Sequence, residues 1–284
     1  MSGPPASASL ASRPIGVFDS GVGGLTVLRA LRAALPEESF LYLGDTARLP
    51  YGTKSEHTVV RYAIQAADEL IARDVKCLVV ACNTASAAAL PAMSERYAGM
   101  PVIGVIEPGA RAACDATRNG HIAVLGTDST VRGGAYTRAI HALRPDAKVS
   151  AIACSLFVAL AEEGWTDGTV AEAAAVRYLQ PMWSSRAPVP DTAVLGCTHF
   201  PMLAEVIAAT VGSGVRIVDS ALTTAATVRL RLAEAGLARP SIAKSPAGGG
   251  MQFLVTDNVE RFAAIGSRFL GQVIDPSLVT IIDM

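Results

Sequence analysis

The chain has 284 residues, 51% of them hydrophobic, and a formal net charge of −1. This composition can supply one large hydrophobic core or two small ones, whereas the absence of a Lys/Arg-rich block argues against nucleic-acid binding. The longest apolar runs reach about ten residues, too few to cross a bilayer. We therefore expect neither nucleic acid nor a membrane as a partner.

The first thirteen residues, MSGPPASASLASR, are rich in Ser, Ala and Pro. They contain neither the basic nor the apolar region of a secretory signal, so we expect a disordered tail over 1–13 and a cytoplasmic protein. Cysteines stay reduced in that compartment, and we interpret Cys77, Cys114 and Cys154 as core residues. The sequence contains no CxxC pair and no ligand spacing typical of structural zinc, so we expect no metal.

Short runs rich in Val and Ile alternate with stretches of helical period along the rest of the chain. We predict strands, in chain order, at IGVF (15–18), FLYL (40–43), CLVVA (77–81), VIGVI (102–106), HIAVL (121–125), VSAIA (149–153), TAVL (192–195) and VRIV (215–218). Apolar periodicity predicts helices over 55–73, 84–97, 130–143, 200–211, 221–235 and 252–269. Apolar strands separated by helices are typical of a parallel sheet covered by helices, so the predicted fold class is α/β.

The eight predicted strands fall into two groups of four, which indicates a duplicated unit. The first group ends in DSG, GDT, CNT and EPG, and the second in GTD, CSL, CTH and DSA. The third strand of each group runs into a cysteine, Cys82 or Cys197. We expect a first α/β domain made of 14–107 and 221–284, in which the C-terminal part packs back on the first unit, and a second α/β domain made of 108–220.

The two strand-end cysteines are candidates for proton transfer. In open parallel sheets, ligands bind beyond the carboxyl ends of the strands, so Cys82 and Cys197 should approach one cleft from opposite sides. A following helix N-terminus lowers the pKa of a thiol and favours thiolate. His199 and Asp19 could each carry a proton or orient a thiol. Two thiols suit inversion of a carbon centre, because one removes a proton from one face while the other returns a proton to the opposite face.

These motifs resemble those of the bacterial glutamate racemases, cofactor-independent enzymes that interconvert L- and D-glutamate for peptidoglycan synthesis. The CNT and GCTH motifs recur across the wider aspartate/glutamate racemase superfamily, whereas FDSGVGGLTV and the GDT…PYG block are more specific to the glutamate enzymes. The matching segments are PIGVFDSGVGGLTVLRAL (14–31), YLGDTARLPYGTKS (42–55), VVACNTASA (79–87), PVIGVIEPGARAA (101–113), HIAVLGTDSTV (121–131), FVALAEEG (157–164) and VLGCTHFP (194–201).

The resemblance implies a role for each matching position. Cys82 and Cys197 correspond to the two catalytic acid/bases. Asp19 and His199 correspond to the side chains that assist the thiols, and Glu162 to a further acidic residue of the site. The substrate-binding positions implied in the same way are Asp19, Ser20, Tyr51, Gly52, Asn83, Thr84, Thr127, Thr130, Thr198 and His199.

The resemblance also implies a fold and a set of partners. The fold is two doubly wound parallel-sheet domains related by pseudo-two-fold symmetry, with the site in the cleft between them. Both enantiomers of glutamate would bind, no cofactor would be needed, and we expect a homodimer. Some Gram-negative relatives are activated by a cell-wall precursor, which makes such a precursor a candidate partner.

Other functions remain alternatives on the sequence alone. Within the superfamily, aspartate or another small amino acid is the nearest rival substrate. A cysteine hydrolase or acyltransferase would leave the second cysteine without a role. A pyridoxal-phosphate racemase needs a Schiff-base lysine, and the four lysines lie in no convincing site: Lys54, Lys76, Lys148 and Lys244. A two-lobed binding module would fit the symmetry but would not explain the two thiols.

Overall fold

A computed structural model describes residues 10–184, 188–240 and 249–284. Its strands are Ile15–Asp19 (β1), Phe40–Gly44 (β2), Cys77–Val80 (β3), Val102–Gly104 (β4), His121–Gly126 (β5), Lys148–Ala153 (β6), Thr192–Gly196 (β7), Arg216–Asp219 (β8), Met251–Val255 (β9) and Val279–Ile281 (β10). Its α-helices are Leu25–Ala34 (α1), Glu56–Ile71 (α2), Asn83–Arg96 (α3), Ile106–Ala116 (α4), Asp128–Gly133 (α5), Ala135–Leu143 (α6), Leu156–Glu163 (α7), Gly168–Trp183 (α8), Ala204–Val211 (α9), Ser220–Glu234 (α10) and Val259–Leu270 (α11). Short 3-10 helices lie at Leu10–Ser12, Tyr51–Thr53, Phe200–Leu203 and Pro276–Leu278.

The strands form two sheets with the same internal order. The first sheet has the order β10-β9-β2-β1-β3-β4, and the second has the order β6-β5-β7-β8. All pairings within both sheets are parallel. The order β2-β1-β3-β4 is therefore repeated as β6-β5-β7-β8, as a duplicated unit requires. The predicted α/β fold with two parallel sheets is confirmed.

The C-terminal part of the chain returns to the first sheet. Strand β9 pairs with β2, and β10 pairs with β9. Helix α10, which follows the second sheet, packs against α1 of the first unit. The expected boundaries of the two domains, 14–107 with 221–284 and 108–220, stay a prediction.

The central strands are buried on both faces. Every residue of β1, β2, β5 and β7 is buried, which explains why these strands read as continuous apolar runs in the sequence. Edge strand β6 is half-exposed along its length. Among the helices of the described ranges, none is both long and apolar enough to cross a bilayer.

Three element predictions were wrong in part. The strand predicted over 102–106 ends at Gly104, and Ile106 already begins α4. The helix predicted over 130–143 is two helices, because Gly134 has a φ of +62° and interrupts the helical backbone between them. The helix predicted over 252–269 begins as strand β9, and α11 starts only at Val259. That strand forms because it can pair with β2, a long-range contact that local periodicity does not contain.

The N-terminal segment is ordered from Leu10 onward, so the expected disorder of 1–13 is wrong for its last four residues. Buried Lys76 donates from Nζ to the carbonyl of Ala11 at 2.7 Å, and Arg13 pairs with Asp74 at 3.2 Å. These contacts hold the segment against the first sheet at the amino end of β3. The cysteine Cys82 lies at the opposite end of that strand. Residues 1–9 lie outside the described residues.

Candidate active site

A cavity of about 290 Å³ lies at the carboxyl ends of the strands of both sheets. Segments that follow β1, β2 and β3 form one side of it, and segments that follow β5, β6 and β7 form the other. Its lining residues are Ser20, Leu49, Pro50, Tyr51, Gly52, Thr53, Cys82, Asn83, Thr84, Thr127, Ser155, Val158, Ala159, Glu162, Cys197, Thr198 and His199. The structure thus brings all the predicted site residues together at one cavity, with Asp19 and Thr130 lying behind its wall.

The sequence prediction missed six lining residues. Leu49, Pro50 and Thr53 flank the predicted Tyr51–Gly52 pair, and Ser155 lies within the CSL motif directly after β6, so the strand-end rule could have found these four. The other two, Val158 and Ala159, precede Glu162 on α7 and carry no polar signal.

Cys82 connects β3 to α3 and is the N-cap of that helix. Its Sγ accepts the Ala85 N–H at 3.4 Å and donates to Ser20 Oγ at 3.4 Å. Burial, followed by the charge of Asp19, raises the pKa of the Cys82 thiol to about 12. The predicted lowering of this pKa was therefore wrong, because desolvation of the thiolate outweighs the helix N-terminus. At neutral pH this pKa keeps Cys82 in its thiol form.

Cys197 directly follows β7 and has a histidine partner. The helix after it is the short 3-10 turn Phe200–Leu203, which lies three residues beyond the thiol rather than directly at it. Cys197 Sγ lies 3.9 Å from His199 Nδ1, and His199 Nε2 lies 3.1 Å from Glu162 Oε1. The thiol, the imidazole and the carboxylate form a chain that runs from the cavity into α7.

His199 is positively charged in this arrangement. Burial lowers its pKa, but the hydrogen bonds to Cys197 and Glu162 outweigh burial and raise the pKa to about 10. The same contact with His199 holds the pKa of Glu162 below its usual range. Glu162 Oε2 also accepts from Arg261 at 3.4 Å. The imidazolium therefore places a positive charge 3.9 Å from the Cys197 sulfur.

Asp19 ends β1 and is almost fully buried behind the cavity wall. Its Oδ2 accepts the Gly21 N–H at 2.9 Å, whereas Oδ1 has no hydrogen-bond partner within the described part of the chain. Burial raises the pKa of Asp19, although the charge of His199 partly opposes this. The carboxyl group can therefore hold a proton close to both Cys82 and His199.

Three threonine hydroxyls join the two units at the rim of the cavity. Thr84 Oγ1 lies 3.1 Å from Thr127 Oγ1 and 3.3 Å from Thr130 Oγ1, and the last two lie 3.1 Å apart. Thr84 belongs to α3, whereas Thr127 is the N-cap of α5. Thr127 and Thr84 line the cavity, and Thr130 supports them from behind.

The loop after β2 is held close to the second unit. The Tyr51 hydroxyl donates to the fully buried Asp45 carboxylate and is therefore not free to bind a ligand. A Cβ added at Gly52 would lie 2.9 Å from Thr127 Cβ, so a larger residue would push the units apart. This loop can offer its backbone to a ligand rather than the tyrosine hydroxyl.

The glycine-rich turn after β1 packs against the end of β7. Thr26 Oγ1 donates to the Thr198 carbonyl at 3.0 Å, and a Cβ added at Gly23 would overlap His199 Nδ1 and Thr198 Oγ1. Because Gly23 has no side chain, His199 can lie in its observed position next to Cys197. Across the described ranges, no group of three or more His, Cys, Asp or Glu residues is arranged to hold a metal ion.

Comparison with known proteins identifies the family. Residues 22–228 match the family model of the Asp/Glu/hydantoin racemases. The chain belongs to this family. Glutamate racemase of Geobacter metallireducens is 50% identical to it over 259 residues, which are 91% of this chain and 93% of the relative.

Solved structures of Asp/Glu/hydantoin racemases share the fold. Glutamate racemase from Francisella tularensis in complex with D-glutamate superposes with a TM-score of 0.87 at 35% identity, covering 96% of this chain and 98% of that one. Escherichia coli glutamate racemase in complex with L-glutamate and the activator UDP-MurNAc-ala gives a TM-score of 0.73 at 32% identity, covering 90% and 95%. The resemblance inferred from the sequence motifs is confirmed.

Proposed function

We propose that this protein interconverts L- and D-glutamate without a cofactor and supplies D-glutamate for peptidoglycan synthesis. The observation that carries the proposal is the pair of buried thiols, Cys82 and Cys197, which line one cavity from matching strand ends of two repeated units. The 50% identity with a glutamate racemase supports glutamate as the substrate.

The two thiols act as a complementary acid and base. In the L-to-D direction, the Cys197 thiolate removes the α proton from one face, and the Cys82 thiol returns its own proton to the opposite face. The enzyme ends with a Cys197 thiol and a Cys82 thiolate, which is the starting state for the D-to-L direction. The raised pKa of Cys82 favours the thiol form that this side chain needs at the start of the L-to-D direction.

The remaining site residues assist the thiols or hold glutamate. Asp19 assists Cys82 and His199 assists Cys197, while Glu162 keeps His199 charged and oriented. Backbone N–H groups at the starts of α3 and α5 can bind the substrate carboxylates without a basic patch. The polar groups proposed to hold glutamate are those of Ser20, Tyr51, Gly52, Asn83, Thr84, Thr127, Thr130 and Thr198, with the Tyr51 contribution coming from its backbone and Thr130 acting through Thr127.

We extend the proposal to partners and location. We propose a homodimer in the cytoplasm, where peptidoglycan precursors are made. The E. coli relative was solved with the activator UDP-MurNAc-ala, which supports testing the same compound on this protein. Activity assays with and without the compound, and sedimentation of the purified protein, test these two points.

Circular dichroism of L-glutamate in D2O tests the proposed reaction. Purified protein with chelator and without pyridoxal phosphate should reduce the signal to zero and place deuterium only at the α carbon. The chelator and the missing pyridoxal phosphate exclude metal and Schiff-base routes. Turnover of aspartate but not glutamate would keep the mechanism and overturn the substrate, and no turnover of any amino acid would favour a binding module.

The Glu162→Gln variant tests the charge on His199. Loss of the carboxylate removes a hydrogen bond that raises the pKa of His199, so this pKa should fall from about 10 by at least about one pH unit. Because the imidazolium is lost as pH rises through its pKa, L-to-D turnover should decline at a lower pH than in the parent protein. NMR titration of the imidazole and a pH–rate profile measure both effects.

Glu163→Gln is the matched control, because Glu163 is the exposed neighbour of Glu162 on α7 and does not line the cavity. It should leave the titration of His199 unchanged. An unchanged titration in Glu162→Gln as well would contradict the assigned role of Glu162.

A further inference from the structure

Tyr136 is a buried tyrosine of the second unit that contacts a cavity residue of the first unit. It lies on α6 and is 2% exposed. Its hydroxyl donates to Oδ1 of Asn83 at 2.8 Å, and Asn83 is the first residue of α3, directly after Cys82. The hydrogen bond therefore joins the two units beside one of the proposed catalytic thiols.

The fold makes a slot for this side chain. A Cβ added at Gly109 would lie 3.2 Å from the Tyr136 ring and hydroxyl, and one at Gly196 would lie 3.1 Å from the ring. Both glycines thus leave just enough space for the ring. Burial raises the pKa of Tyr136, which keeps its hydroxyl protonated and able to donate. Both the position and the donor character of this hydroxyl are fixed by the structure.

The oxygen of the Asn83 amide makes a hydrogen bond, whereas its nitrogen makes none within the described residues. Oδ1 accepts from Tyr136, whereas Nδ2 is buried and has no hydrogen-bond partner among the described residues. A buried amide donor without a partner is costly, so such a group in a cavity wall points to a ligand acceptor. Asn83 lines the cavity, and the carboxylates of glutamate are acceptors.

We propose that Tyr136 is a positioning residue that holds the Asn83 amide with its oxygen turned away and its N–H donors available to a substrate carboxylate. This inference rests on the proposed function. Without the tyrosine hydroxyl, the amide oxygen loses its donor, and the amide is free to rotate and present oxygen to the carboxylate. Tyr136 touches no substrate itself and acts only through Asn83.

The Tyr136→Phe variant tests the proposal, since it keeps the ring in its slot and removes only the hydroxyl. We expect KM for both enantiomers to rise about tenfold, with kcat changing much less, because the amide binds ground state and transition state alike. Tyr97→Phe is the matched control. It removes a hydroxyl that donates to Asp68 of α2 at 2.8 Å, at the opposite end of α3 and outside the cavity. KM for both enantiomers should be unchanged in the Tyr97→Phe variant.

A double-mutant cycle separates positioning from a general structural effect. Tyr136→Phe should add no further rise in KM when Asn83 is already alanine, because the group it positions is gone. Thermal melts of all variants check that each is folded. An unchanged KM in folded Tyr136→Phe, or a full additional rise in the Asn83→Ala background, would overturn the proposal. Failure of the parent protein to racemise glutamate would instead overturn the proposed function, so the two failures are distinguishable.

Discussion

Replacing either Cys82 or Cys197 by serine should lower racemisation of both enantiomers by about a hundredfold to ten-thousandfold. Each turnover uses one thiolate and one thiol from the pair, so the loss of either blocks both directions. A serine hydroxyl is close to the thiol in size but far less acidic, so it does not supply the missing proton carrier. Circular dichroism of L- and D-glutamate measures the loss, and thermal melts show whether each variant is folded.

Deuterium exchange in these variants distinguishes the two thiols. Cys82→Ser keeps the Cys197 base, so it should still exchange the α proton of L-glutamate without inverting it. Cys197→Ser should exchange D-glutamate instead. Exchange of the opposite enantiomers would show that the bases are assigned the wrong way round. Substantial racemisation by either variant would exclude the two-thiol mechanism and favour a single-cysteine enzyme.

Cys114→Ser is the matched control for these cysteine variants. Cys114 lies on α4, is only partly buried and does not line the cavity. Its thiol makes one weak contact of 3.9 Å with the Ile140 carbonyl. Activity should therefore remain close to that of the parent protein.

Gly23→Ala should lower kcat by about a hundredfold, because a Cβ at this position would overlap His199 Nδ1 and Thr198 Oγ1. Both atoms belong to the second unit, so the new methyl group would displace the histidine from Cys197 or push the two units apart. Steady-state kinetics in both directions and NMR titration of His199 measure the effect. The pKa of His199 should fall from about 10 as its contact with Cys197 lengthens.

Gly21→Ala is the matched control in the same turn. A Cβ at Gly21 would meet Leu49 Cδ2 at 3.2 Å, the end of a flexible side chain that can give way. We expect a change in kcat of less than about threefold. Equal and small effects of the two alanine substitutions would show that close packing of the turn against His199 is not needed for activity.

The sequence by itself determined the eight strands of the two repeated units and the place of the site. Strands that are buried on both faces form continuous apolar runs in the sequence, so the central strands could be recognised locally. The repeated ending of the third strand in cysteine, at Cys82 and Cys197, was enough to predict one cavity shared by two thiols. The family motifs added Glu162 and the substrate-binding positions, and the structure places these around the same cavity.

Only the tertiary structure decided the charge states and the partners of these residues. The helix N-terminus before Ala85 was visible in the sequence, but the burial that raises the pKa of Cys82 was not. Tyr51 was predicted to face a ligand, but its hydroxyl is bound by Asp45. Strand β9 and the contact between Tyr136 and Asn83 likewise depend on residues far apart in the chain. Local periodicity reports which face of an element is apolar. Desolvation and long-range hydrogen bonds depend on what the folded chain places against that face.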